Sequence, residues 1–159
     1  MQTISDSIAK IEKVTAAFLM LIMAVVVAAS VIFRYFLNSP LSWAGEVSIF
    51  LLAWISFIGG SLGLKYKSQA SVTILIDYVP ANVRRIIQIT GYLLMLLFLV
   101  FILYYCYKWV MSPSVGFQRS TALQIPMWIP YSAVPVGLTF ASVHILNNLI
   151  GTIQEGKLK

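Results

Sequence analysis

The sequence predicts an all-α membrane protein with four transmembrane helices and both termini in the cytoplasm. First, four apolar stretches, at 14–33, 47–64, 86–107 and about 128–153, contain no Asp, Glu, Lys or Arg, and each is close to the ~17–25 residues that cross ~30 Å of hydrocarbon. Second, 60% of the residues are hydrophobic and only 10% are charged, far from the averages of soluble domains. Third, Lys and Arg are distributed unevenly between the connecting segments.

These observations predict a single membrane domain over residues 1–159, with spans at about 14–35, 41–64, 83–108 and 127–152. The first span is expected to stay in the protein as an anchor, because its apolar run exceeds the ~7–15 residues of a signal-peptide core. Ahead of it, residues 3–13 place Ile4, Ile8 and Ile11 on one helical face. The pattern fits a possible N-terminal amphipathic helix in the headgroup region, and equally a plain extension of the first span.

The second helix is predicted to begin near Pro40, because Ser39 is a suitable cap and proline fits the first helical position. Trp43 stands there as an interfacial anchor. Arg34 at the end of the first helix and Glu46 near the start of the second each complement their helix dipole. Because the two helices form a hairpin, we expect Arg34 and Glu46 to form a structural charge pair.

Between the second and third helices, the apolar segment 72–80 is too short to span as a helix. We expect it to lie along the membrane interface. The third helix is bulky on all sides from 93 to 107. Before the fourth helix, Pro126 and Pro130 predict an irregular or kinked start, which is tolerated where other protein covers the freed backbone groups.

The positive-inside rule gives the orientation. One side of the predicted topology carries eight basic residues near the span ends, namely Lys10, Lys13, Lys65, Lys67, Arg84, Arg85, Lys157 and Lys159. The other side carries Arg34, Lys108 and Arg119. Both termini are therefore predicted to be cytoplasmic. Topology accounts for the net charge of +6 better than binding of nucleic acid does, since the basic residues are spread over the connections.

Small residues four positions apart mark candidate helix-packing faces, where backbones approach closely in lipid. The second span contains Ser56, Gly59, Gly60 and Gly63, and the fourth contains Ala133, Gly137 and Ala141. Two interpretations stay open: packing within this chain, which is favoured, and a groove for a separate membrane subunit. Trp43 and Trp54 belong to the same candidate faces.

The spans offer no pattern for catalysis, a metal or a cofactor, so no enzymatic activity is expected. His144 is the only histidine and Cys106 the only cysteine, and no Ser-His-Asp set, paired-carboxylate site or phosphate-binding loop is visible. His144 and Asn148, one turn apart, are predicted to form hydrogen bonds between helices. Glu46 is the strongest candidate for proton chemistry, although the pairing with Arg34 is favoured.

Short motifs occur in order along nearly the whole chain. They are Phe33-Arg34-Tyr35, Trp43-Ala44-Gly45-Glu46, Trp54, Gly59-Gly60, Ser120, Leu123, Ile125-Pro126, Trp128, Tyr131 and Pro135-Val136-Gly137. With the four spans and the predicted orientation, they resemble the small membrane (DctQ-type) subunit of tripartite ATP-independent periplasmic (TRAP) transporters. The family often has a histidine after the basic turn that follows span two; residues 65–70 have none, so a role at that position is not carried over.

The resemblance implies a multi-pass protein of the bacterial inner membrane that needs no cofactor. Its implied partners are a large membrane subunit with the substrate and sodium sites, a periplasmic substrate-binding protein and membrane lipid, with no nucleic acid. The chain would act as a static scaffold for elevator-type, sodium-driven uptake of an organic acid such as a dicarboxylate or a sialic acid. Arg34, Lys108 and Arg119 would help to dock the binding protein. The alternative is a self-sufficient, proton-coupled small exporter that uses Glu46.

Overall fold

A computed structural model describes residues 2–66 and 80–155 of the chain, and four of its helices are long and apolar enough to cross a membrane. The predicted all-α class with four spans is confirmed. The long helices are α1 (Gln2–Tyr35), α2 (Ala44–Lys65), α3 (Ala81–Val110) and α6 (Ala133–Glu155). Two short helices, α4 (Pro113–Phe117) and α5 (Trp128–Tyr131), lie between α3 and α6. The expected interfacial segment 72–80 lies outside the described residues except for Pro80, as do Lys67, Lys157 and Lys159.

The long helices form a row rather than a closed bundle. The extensive contacts join α1 to α2, α2 to α6 and α6 to α3, while α1 meets α6 over a shorter stretch. Between α3 and α6, the buried side chains of Leu99, Ala141 and Ile145 form a small apolar core. Two helices therefore stand at the ends of the row, and each leaves a broad apolar surface uncovered by this chain.

Hydrogen bonds between the helices fix their directions. Lys65, at the end of α2, reaches Ser5 near the start of α1, so α1 and α2 are antiparallel. Arg85 at the start of α3 donates to the Ile153 carbonyl near the end of α6, so α3 and α6 are antiparallel as well. Along the helix axes, we call the end of the molecule that carries Lys10, Lys13, Lys65, Arg84 and Arg85 the basic end. The opposite end, which carries residues 118–127, is the hairpin end.

The N-terminal segment is an extension of the first span. Helix α1 has 34 residues and is about 51 Å long at ~1.5 Å per residue, well beyond the hydrocarbon thickness. In this segment Ser5, Ala9 and Glu12 are buried, whereas Ile4 and Ile11 are exposed. The spacing of four and three places the buried residues on one helical face. The face that packs on the protein is thus the small and polar one, and the isoleucines point outward.

Helix α2 begins at Ala44, four residues after the predicted start at Pro40. Asn38 has a left-handed φ of 49°, which short polar side chains adopt more easily than others. The chain reverses direction at Asn38, and residues 36–43 form the turn. Ser39 and Pro40 therefore lie in this turn and not at the start of α2. The residue before α2 is Trp43, which makes no side-chain capping bond.

The irregular start of the fourth span is confirmed. Helix α5 ends at Tyr131, and α6 begins two residues later at Ala133. At the break, the Ser132 hydroxyl donates to the Ile129 carbonyl at 2.7 Å, which satisfies one of the backbone groups that the break frees. The prolines therefore shape a short helix and a bend ahead of α6.

Candidate functional site

At the hairpin end, residues 118–127 fold into a short antiparallel hairpin. The Met127 amide donates to the Gln118 carbonyl at 3.0 Å and the Ser120 amide to the Ile125 carbonyl at 2.9 Å. The Ser120 hydroxyl accepts the Ile125 amide at 3.2 Å. Gln124 has a left-handed φ of 56°, which turns the chain at the tip. The segment ahead of α5 is therefore an ordered structure with its own hydrogen bonds.

The carboxylate of Glu46 holds the tip of this hairpin against α2. Its Oε1 accepts the Thr121 amide at 2.8 Å, and its Oε2 accepts the amides of Ala122 at 3.1 Å and Leu123 at 3.0 Å. Three successive N–H groups aimed at one anion form a nest, and bonds to an ionised acceptor are stronger than neutral ones. Glu46 is thus the fastening point of the hairpin.

The structure gives Glu46 these partners instead of Arg34. Within residues 2–66 and 80–155, no ion pair within 4 Å joins the two side chains. Arg34 lines a cavity between α1 and α2 together with Ala44 and Ser48. Ala44 and Ser48 are one turn apart on the face of α2 that meets α1, and Glu46, midway between them, points to the opposite side. The rotation of α2 therefore separates the expected pair.

A polar junction lies at the basic end, where α1, α2 and α6 meet. His144 Nδ1 is 2.7 Å from Ser5 Oγ, and His144 Nε2 is 2.9 Å from Glu12 Oε2. All three residues are at most 1% exposed. One turn further along α6, the Asn148 amide donates to the Leu64 carbonyl at 3.0 Å. The predicted hydrogen bonding of His144 and Asn148 between helices is confirmed.

Lys65 closes the junction on the side of the basic end. Its ammonium donates to the Ser5 carbonyl at 2.9 Å and to Asp6 Oδ1 at 2.6 Å. Lys13 lies over the ring of the neighbouring Tyr66, with 4.8 Å between its Nζ and the ring centroid. The start of α1 is therefore attached to α2 by an ion pair at the rim and to α6 by the buried histidine.

The order of Ser5, His144 and Glu12 is that of a serine–histidine–acid hydrogen-bond chain. The sequence did not reveal it, because Ser5 and Glu12 stand 139 and 132 positions from His144. Ser5 is buried between helices in this structure, so its hydroxyl does not face a substrate in solution. Among the described residues, no cluster of three His, Cys, Asp or Glu side chains suits a metal ion.

The small residues of α6 pack inside the chain. Ala133 and Ala141 are buried, and a Cβ added at Gly137 would lie 2.6 Å from Phe57 Cβ and 3.0 Å from the Phe57 backbone. Real Cβ atoms do not approach so closely, so only glycine fits the α2–α6 contact at Gly137. For Ala133, Gly137 and Ala141, the structure therefore fits packing within this chain.

The small residues of α2 face away from the rest of the chain. Ser56, Gly59 and Gly60 are exposed, while Gly63 is half-buried. A Cβ at Gly59 or Gly60 would meet no atom of the described residues within 4 Å. The exposed Leu52 continues the same face. We call Leu52, Ser56, Gly59 and Gly60 the outer face of α2; its glycines are not needed for packing in this chain.

The two tryptophans of the predicted packing faces, Trp43 and Trp54, have different surroundings. Trp43 is exposed at the turn before α2. Trp54 is half-buried and borders an apolar cavity of about 340 Å³ between α1, α2 and the hairpin segment, which Leu19, Phe50 and Ile125 also line. Trp54 therefore belongs to the contact between α2 and the segment that precedes α6.

Three basic side chains lie at the hairpin end. Arg34 is in the last turn of α1 and Lys108 is in the last turn of α3, so these two side chains stand on the two outer helices of the row. Arg119 is exposed on the hairpin, with its guanidinium 3.4 Å from the Gln124 carbonyl. The structure thus places the three residues at one end of the molecule and spreads them along it.

The chain is similar to known transporter subunits. The family model described as "Tripartite ATP-independent periplasmic transporters, DctQ component" matches residues 23–155. The C4-dicarboxylate TRAP transporter small permease protein DctQ of Vibrio cholerae is 26% identical over 93% of this chain and 73% of its own length. The ectoine TRAP transporter small permease protein TeaB of Halomonas elongata is 29% identical over 96% of this chain and 79% of its own length. The isethionate TRAP transporter permease protein DctMQ of Oleidesulfovibrio alaskensis is 28% identical over 70% of this chain but 18% of its own length.

Proposed function

The chain belongs to the DctQ family of TRAP transporter small permease subunits, and from this premise we propose that it is the scaffold of a large elevator-type membrane subunit. The complete transporter would use sodium to take up an organic acid, such as a dicarboxylate or a sialic acid, delivered by a periplasmic binding protein. In this proposal the small subunit supplies a fixed helical surface and no transport pathway.

The outer face of α2 is the observation that carries the proposal. Helices pack closely in lipid where small residues let backbones approach, and the chain uses this device internally at Gly137. Gly59 and Gly60 offer the same device but contact no other helix among residues 2–66 and 80–155. A helix of a separate subunit would fit against this face.

Two further observations support a separate partner. The helices form an open row, so apolar surface is left for contact with another membrane protein as well as with lipid. The relative named as the permease protein DctMQ contains a region similar to this chain as a small part of its length. We propose that this chain packs beside a large permease subunit in the membrane.

Substrate choice is assigned to the partners. The relatives are named for C4-dicarboxylate, ectoine and isethionate, yet they are similarly related to this chain, at 26–29% identity. The four charge-free stretches contain no Lys or Arg that could pair with a carboxylate. The proton-coupled exporter is less well supported, because the Glu46 carboxylate accepts three backbone hydrogen bonds.

The basic end is proposed to face the cytoplasm of a bacterial inner membrane, following the positive-inside rule. Arg34, Lys108 and Arg119 would then face the periplasm. Because they are spread along the helix row, they would present separated positive charges to an incoming binding protein, and such charges steer association more than they strengthen it.

The test is a substitution that fills the outer face of α2. Gly60→Leu adds a side chain where a partner helix would approach, and overpacking costs about 1–3 kcal/mol. We expect recovery of the large subunit with the small one in mild detergent to fall about tenfold, with a matching loss of uptake. Gly91→Leu on α3 is the matched control, since a Cβ there also meets nothing within 4 Å. A Gly60→Leu complex as stable and active as the control would contradict the proposal.

A further inference from the structure

The junction of α1, α2 and α6 contains a buried acid and a buried histidine for which the proposed scaffold function gives no reason. Glu12 is 1% exposed and His144 is not exposed at all. Buried acids are rare unless they are paired, and groups of this kind at membrane depth are most often functional. Glu12 just precedes the first apolar stretch, so it lies near the basic end of the hydrocarbon layer.

The hydrogen bonds of the junction limit its charge states. His144 uses both ring nitrogens, Nε2 with Glu12 and Nδ1 with Ser5. The second carboxyl oxygen of Glu12, Oε1, is buried and accepts no hydrogen bond from the described residues. If the imidazole were neutral and the carboxylate ionised, the junction would contain a net negative charge with one oxygen unsatisfied. Burying a charge in that way is costly.

Among the ion pairs that join described residues, none links Glu12 to a Lys or Arg side chain. On α1 and α2, Asp6 and Lys65 form an ion pair with each other at 2.6 Å. Lys10 and Lys13 are exposed on the outside of α1, and Lys13 lies over Tyr66. On α6 the side chain one turn beyond His144 is the neutral Asn148. On α3, which packs on the other side of α6, Arg85 donates to the Ile153 carbonyl, and Arg84 is half-buried.

We propose that Glu12 and His144 together bind one proton at neutral pH, so that the buried pair has no net charge and fastens the first turns of α1 to α6. The proton is either on the imidazole, giving an imidazolium and a carboxylate, or on the carboxyl, giving an acid and a neutral imidazole. In both arrangements His144 Nδ1 bears a hydrogen and donates it to Ser5 Oγ. The alternative is a neutral imidazole beside an ionised carboxylate, which has a net negative charge. Its single ring hydrogen is on Nε2, so Nδ1 has no hydrogen and accepts the Ser5 hydroxyl.

Because His144 is the only histidine of the chain, its protonation can be observed directly. The chain is labelled with ¹⁵N-histidine and placed in lipid nanodiscs, either alone or with the unlabelled large subunit, and its imidazole nitrogens are recorded by NMR. We expect a protonated Nδ1 at neutral pH. A non-protonated Nδ1 at neutral pH would overturn the proposal.

Variants test whether the pair fastens α1. Glu12→Gln keeps the shape without charge, so the amide hydrogen exchange of residues 5–12 should stay slow. Glu12→Ala leaves His144 without its acid partner, so exchange there should accelerate. Lys10→Gln, which removes an exposed charge from the outside of α1, is the control and should leave the Nδ1 signal protonated. Fast exchange in the Gln variant, or slow exchange in the Ala variant, would contradict the proposal. If the Ala variant does not insert, the Gln variant and the wild-type spectrum still decide.

Discussion

The contact between α2 and α6 yields a prediction whose size can be worked out from the structure. In Gly137→Ala, the new Cβ would stand 2.6 Å from Phe57 Cβ and 3.0 Å from the Phe57 carbonyl carbon and oxygen. Ordinary contacts between carbon atoms are at ~3.5–4.0 Å, so the two helices must separate by about 1 Å. Rotation of the Phe57 side chain cannot help, because Cβ and the backbone do not move with χ1.

The expected cost is the overpacking cost of about 1–3 kcal/mol, set against a gain in helix propensity of about 0.8–1 kcal/mol for replacing glycine by alanine. Gly91→Ala on α3 makes the same chemical change with nothing within 4 Å of the new Cβ. It should therefore show the gain alone. The difference between the two variants isolates the clash, and Gly137→Ala should be less stable than Gly91→Ala by about 1–3 kcal/mol.

Both variants are purified in the same detergent and unfolded by titration with SDS, with tryptophan fluorescence and circular dichroism as probes. The tryptophans lie at the ends of α2 and α3 and within α2 and α5, so separation of α2 from α6 should alter their emission. If Gly137→Ala proved as stable as Gly91→Ala, the tight contact between α2 and α6 at Gly137 would be refuted.

Two other predictions concern the hairpin end. In Glu46→Gln, the amides of residues 121–123 should exchange hydrogen at close to the rate of unprotected amides, because one neutral oxygen replaces two anionic ones. Asp6→Asn is the control and should leave this exchange slow. Unchanged protection of residues 121–123 in Glu46→Gln would contradict the proposed role of Glu46 in holding the hairpin. Reversing the charges of Arg34, Lys108 and Arg119 together should slow binding-protein-dependent uptake, most strongly at low salt; unchanged uptake would rule out docking through these residues.

Much of the fold was predictable from the sequence, because a transmembrane span is recognised by the length and the apolar composition of its segment. Four charge-free stretches of about twenty residues set the number of spans, and Pro126 and Pro130 marked the irregular start of the fourth. The start of α2 was predicted too early, because the cap and proline signals at Ser39 and Pro40 occur in the turn that Asn38 begins. The motif residues also pointed to the DctQ family, which the comparisons confirm.

The partners of individual polar residues were harder to predict. The sequence predicts hydrogen bonding between helices for His144 and Asn148, but it does not identify Glu12 and Ser5 as the partners of His144. Their spacing with Ala9, four and then three positions, was a usable signal for a small, polar packing face. The isoleucines of the same segment indicate a neighbouring face, on which Ile4 and Ile11 are exposed in the structure.

What the sequence determined by itself is therefore the membrane, the four spans and the positions of the charges along the chain, since a segment crosses the bilayer according to its own length and polarity. Only the tertiary structure decided which small residues pack internally, that Glu46 holds the hairpin, and that Glu12 meets His144. Those outcomes depend on the rotation and order of helices that are apolar on nearly all sides. Hydropathy does not encode rotation there, and the contacts join residues 75 to 139 positions apart.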